Sequence, residues 1–161
     1  AIQHVAQRIR EVQDFLERKI AIENVSYYTP VAAEMDEATF IREVVNEAGC
    51  ELLLDINNVY VNAFNHQYDP RQFINELPLE KVAYIHMAGH EQVEPDLIID
   101  THGQPVVPPV YELFEWAIQK MRPLPVLLER DYNFSNLEQI QMELKKLQGI
   151  QSKVWEAGHV A

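Results

Sequence analysis

Apolar residues recur at helical spacing from the first positions of the chain. Ile2, Val5, Ala6, Ile9, Val12 and Leu16 form one stripe, and Arg8, Arg10, Glu11, Glu17 and Arg18 fill the opposite face. That period predicts an amphipathic helix. The pattern then changes to Ile20-Ala21-Ile22-Glu23-Asn24-Val25, whose short length and branched side chains predict a buried strand, with Pro30 in the loop beyond it. Asp36 can cap a helix reaching about Ala48 and carried by Phe40, Ile41, Val44 and Val45; Gly49 closes it before a strand from Glu51 to Asp55. Residues 57–68 read as an excursion from strand into helix, Pro70 opens a short helix ending near Leu77-Pro78, and a third strand covers Val82 to His86. A long loop from Met87 to Pro108 follows, then a helix from Pro109 to Lys120 and a fourth strand from Pro125 to Glu129. Ser135 and Glu138 form a capping box for a last helix bearing Leu137, Ile140, Leu144 and Leu147, and the tail after Gly149 gives no clear signal.

Strands of about five residues, apolar on both faces and alternating with helices, indicate parallel βαβ units in an α/β fold. Four such units do not close a barrel of eight strands. The pattern fits either an open sheet or about half of a barrel whose first strands precede Ala1. The chain starts without methionine and enters a helix at once, which points to a processed or truncated chain. Its 161 residues, 47% of them hydrophobic, are expected to bury one core as a single domain.

Composition removes several classes of function. No apolar run approaches the roughly 18 residues that span a bilayer, and the charged first helix is no signal peptide, so a cytoplasmic protein without membrane association is expected. The single cysteine, Cys50, excludes an internal disulfide framework and any thiolate-rich metal site; it reads as a small core residue at the rim opposite Asp55. A formal charge of -12 repels a phosphate backbone, and no lysine or arginine cluster reverses that field, which disfavours nucleic acid as a partner.

The chemistry lies at the strand ends. Glu23, Asp55, His86 and Glu129 each stand at or near the C-terminal end of an apolar run, and in parallel α/β folds those ends converge on the rim where ligands bind. One carboxylate at a strand end is usually a helix cap or half of an ion pair. Three gathered together repel one another unless a cation neutralises them, so a metal site is the economical account. Asp100-Thr101-His102 adds two ligand-type side chains at i and i+2, which share a face if the segment is extended. Asp55 and Asn58 stand one helical turn apart. His90, in the turn Ala88-Gly89-His90-Glu91, reads as a substrate contact or a donor behind the ligands more readily than as a ligand. His66 is equally readable as exposed, and His4 and His159 have no assigned role. Oxygen and imidazole ligands without thiolate suit iron, manganese or zinc.

Five ordered segments, Ile22-Glu23-Asn24-Val25-Ser26, Leu53-Leu54-Asp55-Ile56-Asn57-Asn58-Val59-Tyr60-Val61, Ile85-His86-Met87-Ala88-Gly89-His90-Glu91, Ile99-Asp100-Thr101-His102 and Leu128-Glu129-Arg130-Asp131, resemble the multinuclear non-haem iron-dependent oxidative enzymes, which include the oxygenase of methanobactin biosynthesis. The order of acids and histidines is also similar, more distantly, to endonuclease IV and other xylose-isomerase-like barrels, which carry histidine where this chain has Asn58. The resemblance implies the C-terminal half of a (β/α)8 TIM barrel. It implies two or three iron ions, oxidation by dioxygen of a residue, often cysteine, in a ribosomally made peptide, and a partner protein that presents that peptide. By position Glu23, Asp55, His86, Asp100, His102 and Glu129 inherit roles as metal ligands, and Asn58 inherits the seventh; the family's two histidines from earlier strands are not in this chain. Other readings are a metal-dependent sugar isomerase or an endonuclease on the same barrel, using manganese or zinc, and a non-catalytic half-barrel that binds a partner or itself through exposed sheet edges.

Overall fold

The computed structural model describes residues 1–29, 34–134 and 137–156; Pro30, Ser135 and His159 lie outside them. The elements in chain order are α1 (Ile2–Leu16), β1 (Ala21–Glu23), α2 (Glu37–Ala48), β2 (Glu51–Asp55), α3 (Ile56–His66), α4 (Pro70–Glu76), β3 (Val82–Met87), β4 (His90–Glu94), β5 (Leu97–Asp100), α5 (Pro108–Ile118), β6 (Val126–Leu128) and α6 (Leu137–Gln151). Local chemistry accounts for several boundaries. The Asp36 carboxylate accepts from the Thr39 N–H at the start of α2, and Gly49 ends that helix at φ 64°, where only a residue without Cβ is unstrained. Asp69 caps α4, whose first position is proline.

β1, β2, β3 and β6 form one parallel sheet in that order, while β4 and β5 form a separate antiparallel pair. Strand order follows chain order without reversal. The helices pack in succession, α1 on α2, α2 on α4, α3 and α4 on α5, and α5 on α6. Between sheet and helices lies the core, which includes Val44, Val45, Leu52, Leu54, Ile85, Met87, Val110, Phe114 and Ile118, together with the buried Cys50.

The period of two along each strand then fixes the other face. Leu52 and Leu54 enter the helix-side core, so Leu53 and Asp55 point the opposite way; Ile85 and Met87 do the same, which sends Tyr84 and His86 to the face shared with Asp55. The register pairs Leu53 with Tyr84 and Asp55 with His86. On β6 the same alternation puts Leu127, half exposed, and the following Glu129 on that face.

Some boundaries differ from those read in the sequence. The expected strand at 20–25 is paired only over Ala21–Glu23, and the fourth strand ends at Leu128, with Glu129 just beyond it, its N–H still donating to Met87 O. Helix α3 starts directly after Asp55 with no further extended residues. The expected loop 87–108 contains the β4–β5 hairpin. β4 exposes four of its five residues, so it carries no apolar alternation to reveal it. From Gly149 to Glu156 the chain is helical, with a π-helical turn at Ser152–Glu156. No helix among the described residues is long and apolar enough to cross a membrane.

Candidate metal centre

Asp55 ends β2 and caps α3: its Oδ1 accepts the Asn58 N–H at 2.7 Å, and its Oδ2 is buried without a hydrogen-bond partner. The backbone of Asp55 is clamped by one side chain, since Asn24 donates Nδ2 to Asp55 O and accepts from Asp55 N–H through Oδ1, both at 2.9 Å. That carboxylate therefore has a fixed aim. Its Oδ2 lies 3.9 Å from both His86 Nδ1 and His102 Nε2.

The remaining groups close around it. Glu129 Oε2 lies 2.8 Å from His86 Nδ1 and 3.3 Å from His102 Nδ1, and Glu23 Oε1 lies 3.9 Å from His86 Nδ1. Glu23, Asp55 and His86 form one trio of mutually close ligand atoms, and Asp55, His102 and Glu129 form a second. Asp55 belongs to both. Asp100 and Asn58 stand in neither trio. Asp100 Oδ1 lies 2.7 Å from His102 Nε2 and also accepts from Asn57 Nδ2 at 2.8 Å, while its Oδ2 accepts from Ser26 Oγ at 2.9 Å. Asn58 Nδ2 donates to Glu23 Oε1 and to Asn24 O, which leaves its Oδ1 buried and unpartnered.

His102 does not sit on an extended segment as its i, i+2 spacing from Asp100 suggested. Its φ is 47°, and the loop after β6 holds the turn: Asp131 N–H donates to His102 O, and Asn133 Nδ2 to Gly103 O. The two side chains still meet, through this turn rather than through strand geometry.

Whether these residues suit a cation is a matter of donor chemistry. His86 Nδ1 and His102 Nε2 are each within 2.8 Å of a carboxylate oxygen, yet neither contact has hydrogen-bond alignment, and both nitrogens are buried without a partner. At metal–ligand distances of about 2.0–2.2 Å, tetrahedral ligand atoms stand about 3.4 Å apart, and the imidazole–carboxylate separations within the trios run from 3.3 to 3.9 Å. Among the described residues, the ion pairs of Glu23, Asp55, Asp100 and Glu129 run only to His86 and His102. Four acids against two imidazoles leave an excess of negative charge, and the residues fit a cation.

Titration follows the same logic. Burial pushes the Asp55 carboxyl up to about 8, opposed by the Asn58 N–H and His102 and reinforced by Asp100 and Glu23. Burial also raises Glu23, with Glu129 and Asp100 adding to the rise against His86 and His102. For His102, burial favours the neutral ring, but the close approach of Asp100 and the fields of Asp55 and Glu129 outweigh it and carry the imidazole up to about 9. Without a cation the cluster holds protons in its place.

A layer of amides supports these side chains. On α3, Asn58, Asn62 and Asn65 recur at i, i+4 and i+7: Asn62 binds Tyr27 N–H and Val25 O, and Asn65 binds both backbone groups of Ile98. Asn57 joins Asp100 to His90, whose Nδ1–H donates to Asn57 Oδ1 at 2.8 Å and whose ring stacks on Tyr60. His90 is thus a donor behind Asp100, and burial lowers its pKa. His66 is half-buried, stacked on Tyr27 and bonded to Tyr27 O, away from the ligand trios. The polar stripe on α3 was the available signal for these residues, because asparagines at the spacing reserved for apolar side chains must pair inside the fold.

A parallel α/β sheet thus brings acids and imidazoles together at its C-terminal rim, in groups able to hold a metal ion. The family model of the RiPP precursor modification enzymes MbnB/TglH/ChrH, where RiPP denotes a ribosomally made and post-translationally modified peptide, matches residues 1–152, and the chain belongs to that family. It is 46% identical over 159 residues to a UPF0276 protein of Shewanella loihica, covering 99% of this chain and 57% of the relative. UPF0276 proteins of Alcanivorax borkumensis and Acinetobacter baylyi are 49% and 48% identical, over 94% and 95% of this chain and 52% and 53% of theirs. The chain spans about half the length of the curated relatives it matches.

Proposed function

We propose that this chain is the C-terminal half of a (β/α)8 barrel that, as a whole protein, is a multinuclear iron enzyme oxidising a residue, often cysteine, in a ribosomally made precursor peptide. The observation that carries the reading is the pair of trios sharing Asp55, whose Oδ2 lies 3.9 Å from each of two buried, unpartnered nitrogens, His86 Nδ1 and His102 Nε2. The barrel reading is supported by strand order that follows the chain without reversal, and by β1 and β6, each paired on one side only among the described residues. In this reading 1–161 form one domain completed by further strands, and the location is cytoplasmic, where precursor peptides are made.

Glu23, Asp55 and His86 would hold one ion, and Asp55, His102 and Glu129 would hold a second. Asp100, and Asn58 through its free Oδ1, would complete the ligand set, with histidines from further strands adding to it. Iron bound there supplies the chemistry for activating dioxygen. The protein's part is to fix the carboxylates, Asp55 through Asn24 and Asp100 through Asn57 and Ser26. The donor set also accommodates manganese or zinc. The family match favours a peptide over a sugar or abasic DNA, and a partner protein that presents the peptide belongs to the same reading.

The test is metal analysis of protein purified without oxygen. Glu129→Ala and His102→Ala are each expected to bind fewer iron ions than wild type while keeping the wild-type circular dichroism spectrum. Full iron occupancy in both variants would defeat the proposal.

A further inference from the structure

The β4–β5 hairpin has two unlike edges. On β5 the outward backbone groups are satisfied by side chains: Ile98 N–H donates to Asn65 Oδ1, Ile98 O accepts from Asn65 Nδ2, and Asp100 N–H donates to Tyr28 OH. Ile98 faces Gln92 across the hairpin, and Asp100 faces His90. Directly opposed residues of an antiparallel pair share their orientation, so the N–H and C=O of His90 and Gln92 also point away from the hairpin, on its other edge.

There they meet a cleft of about 480 Å³ lined by His90, Glu91, Gln92 and the segment from Gln104 to Pro108. That far wall does not pair with β4. Pro105 and Pro108 have no N–H, and Val106 N–H is committed to Glu143 Oε1 at 2.6 Å. The carbonyls of Gln104 and Pro105 press on Gly89 and close one end of the cleft, since a Cβ on Gly89 would stand 2.0 Å from Gln104 O. The open edge therefore starts at His90, whose ring is linked through Asn57 to Asp100 of the metal centre.

We propose that an extended segment of the peptide substrate docks in this cleft by adding a strand to β4, bonding to the main chain of His90 and Gln92. This rests on the peptide-modifying function proposed above and gives it a route to the metal centre. Glu91, Glu94 and Asp96 line or flank the edge, so the segment that fits is basic. A second copy of this chain, with a net charge of -12, meets like charge instead.

Gln92→Pro removes the outward N–H and leaves the β4–β5 ladder bonds in place, while Gln92→Ala removes only the side-chain bond to Pro95 O. The probe is a displayed library of random 12-residue peptides selected on the 161-residue chain, with metal content measured on each variant. Selected peptides are expected to be rich in lysine and arginine, and to slow hydrogen exchange at His90 and Gln92. They should bind Gln92→Ala as tightly as wild type and Gln92→Pro roughly tenfold more weakly, the worth of about one backbone hydrogen bond. Equal binding to Gln92→Pro, protection elsewhere, failure to enrich any peptide, or self-association abolished by Gln92→Pro would each overturn the proposal. With metal content unchanged, such a result leaves the iron-enzyme reading standing; loss of metal from wild-type protein sinks that reading instead.

Discussion

Asn24 shows how much of the centre depends on side chains that bind no ion. It supplies both a donor and an acceptor to the buried backbone of Asp55, and Asn24→Ala strands both groups. The expected cost is about 2–4 kcal/mol in urea unfolding, from two unsatisfied buried groups, with weakened metal affinity because Asp55 loses its aim. A cost near zero would show that the clamp is dispensable. Titration gives a second expectation. In metal-stripped protein, Asp55 keeps its proton to about pH 8 against 3.8 when unfolded, and His102 to about 9 against 6.5. Both groups bind more protons folded than unfolded, so their contributions to stability fall as pH rises from about 4 to about 9. Bound metal favours the ionised carboxylate and neutral imidazole and should flatten that decline, as melting curves with and without ferrous ion would reveal. Of these residues, Glu23, Asp55, His86 and Glu129 were legible because strand ends in parallel folds face one rim. Asn24 and Asn57 were not, since a lone asparagine has no periodic signature and its worth lies in contacts across the chain.

At the scale of elements, helices with a strong apolar stripe, such as α1, or with cap residues, such as α2, could be placed from sequence to within a residue or two. The β4–β5 hairpin could not. Its first strand is solvent-facing and polar, and its second is held by Asn65 and Tyr28 from distant segments. The Pro95-Asp96 pair between the strands was the one local turn signal. Two glycines around this hairpin should respond differently to substitution. Gly89→Ala drives a Cβ into the backbone carbonyls of Gln104 and Pro105, with an expected loss of about 1–3 kcal/mol. Gly103→Ala first meets the ring of Tyr132, a half-exposed side chain rather than backbone. Its thermal unfolding should stay close to wild type; equal losses in the two variants would contradict this account of the hairpin's seating.

Across the whole molecule, the sheet turns one face to the helices and the other, with Leu53, Tyr84 and Leu127, toward the space where further barrel strands belong in the proposed reading. The α/β alternation was visible in the hydrophobic pattern, but the proposed closure was not, because it would depend on strands pairing with β1 and β6. The proposal that one shared carboxylate organises two ion positions is tested most directly by counting bound ferrous ions, without oxygen, in four proteins. Wild type should bind two or more per chain. Asp55→Asn, which preserves the helix cap, should bind none, whereas Glu23→Ala and His102→Ala should each lose one and keep another. Retention of both ions by Asp55→Asn would contradict the account.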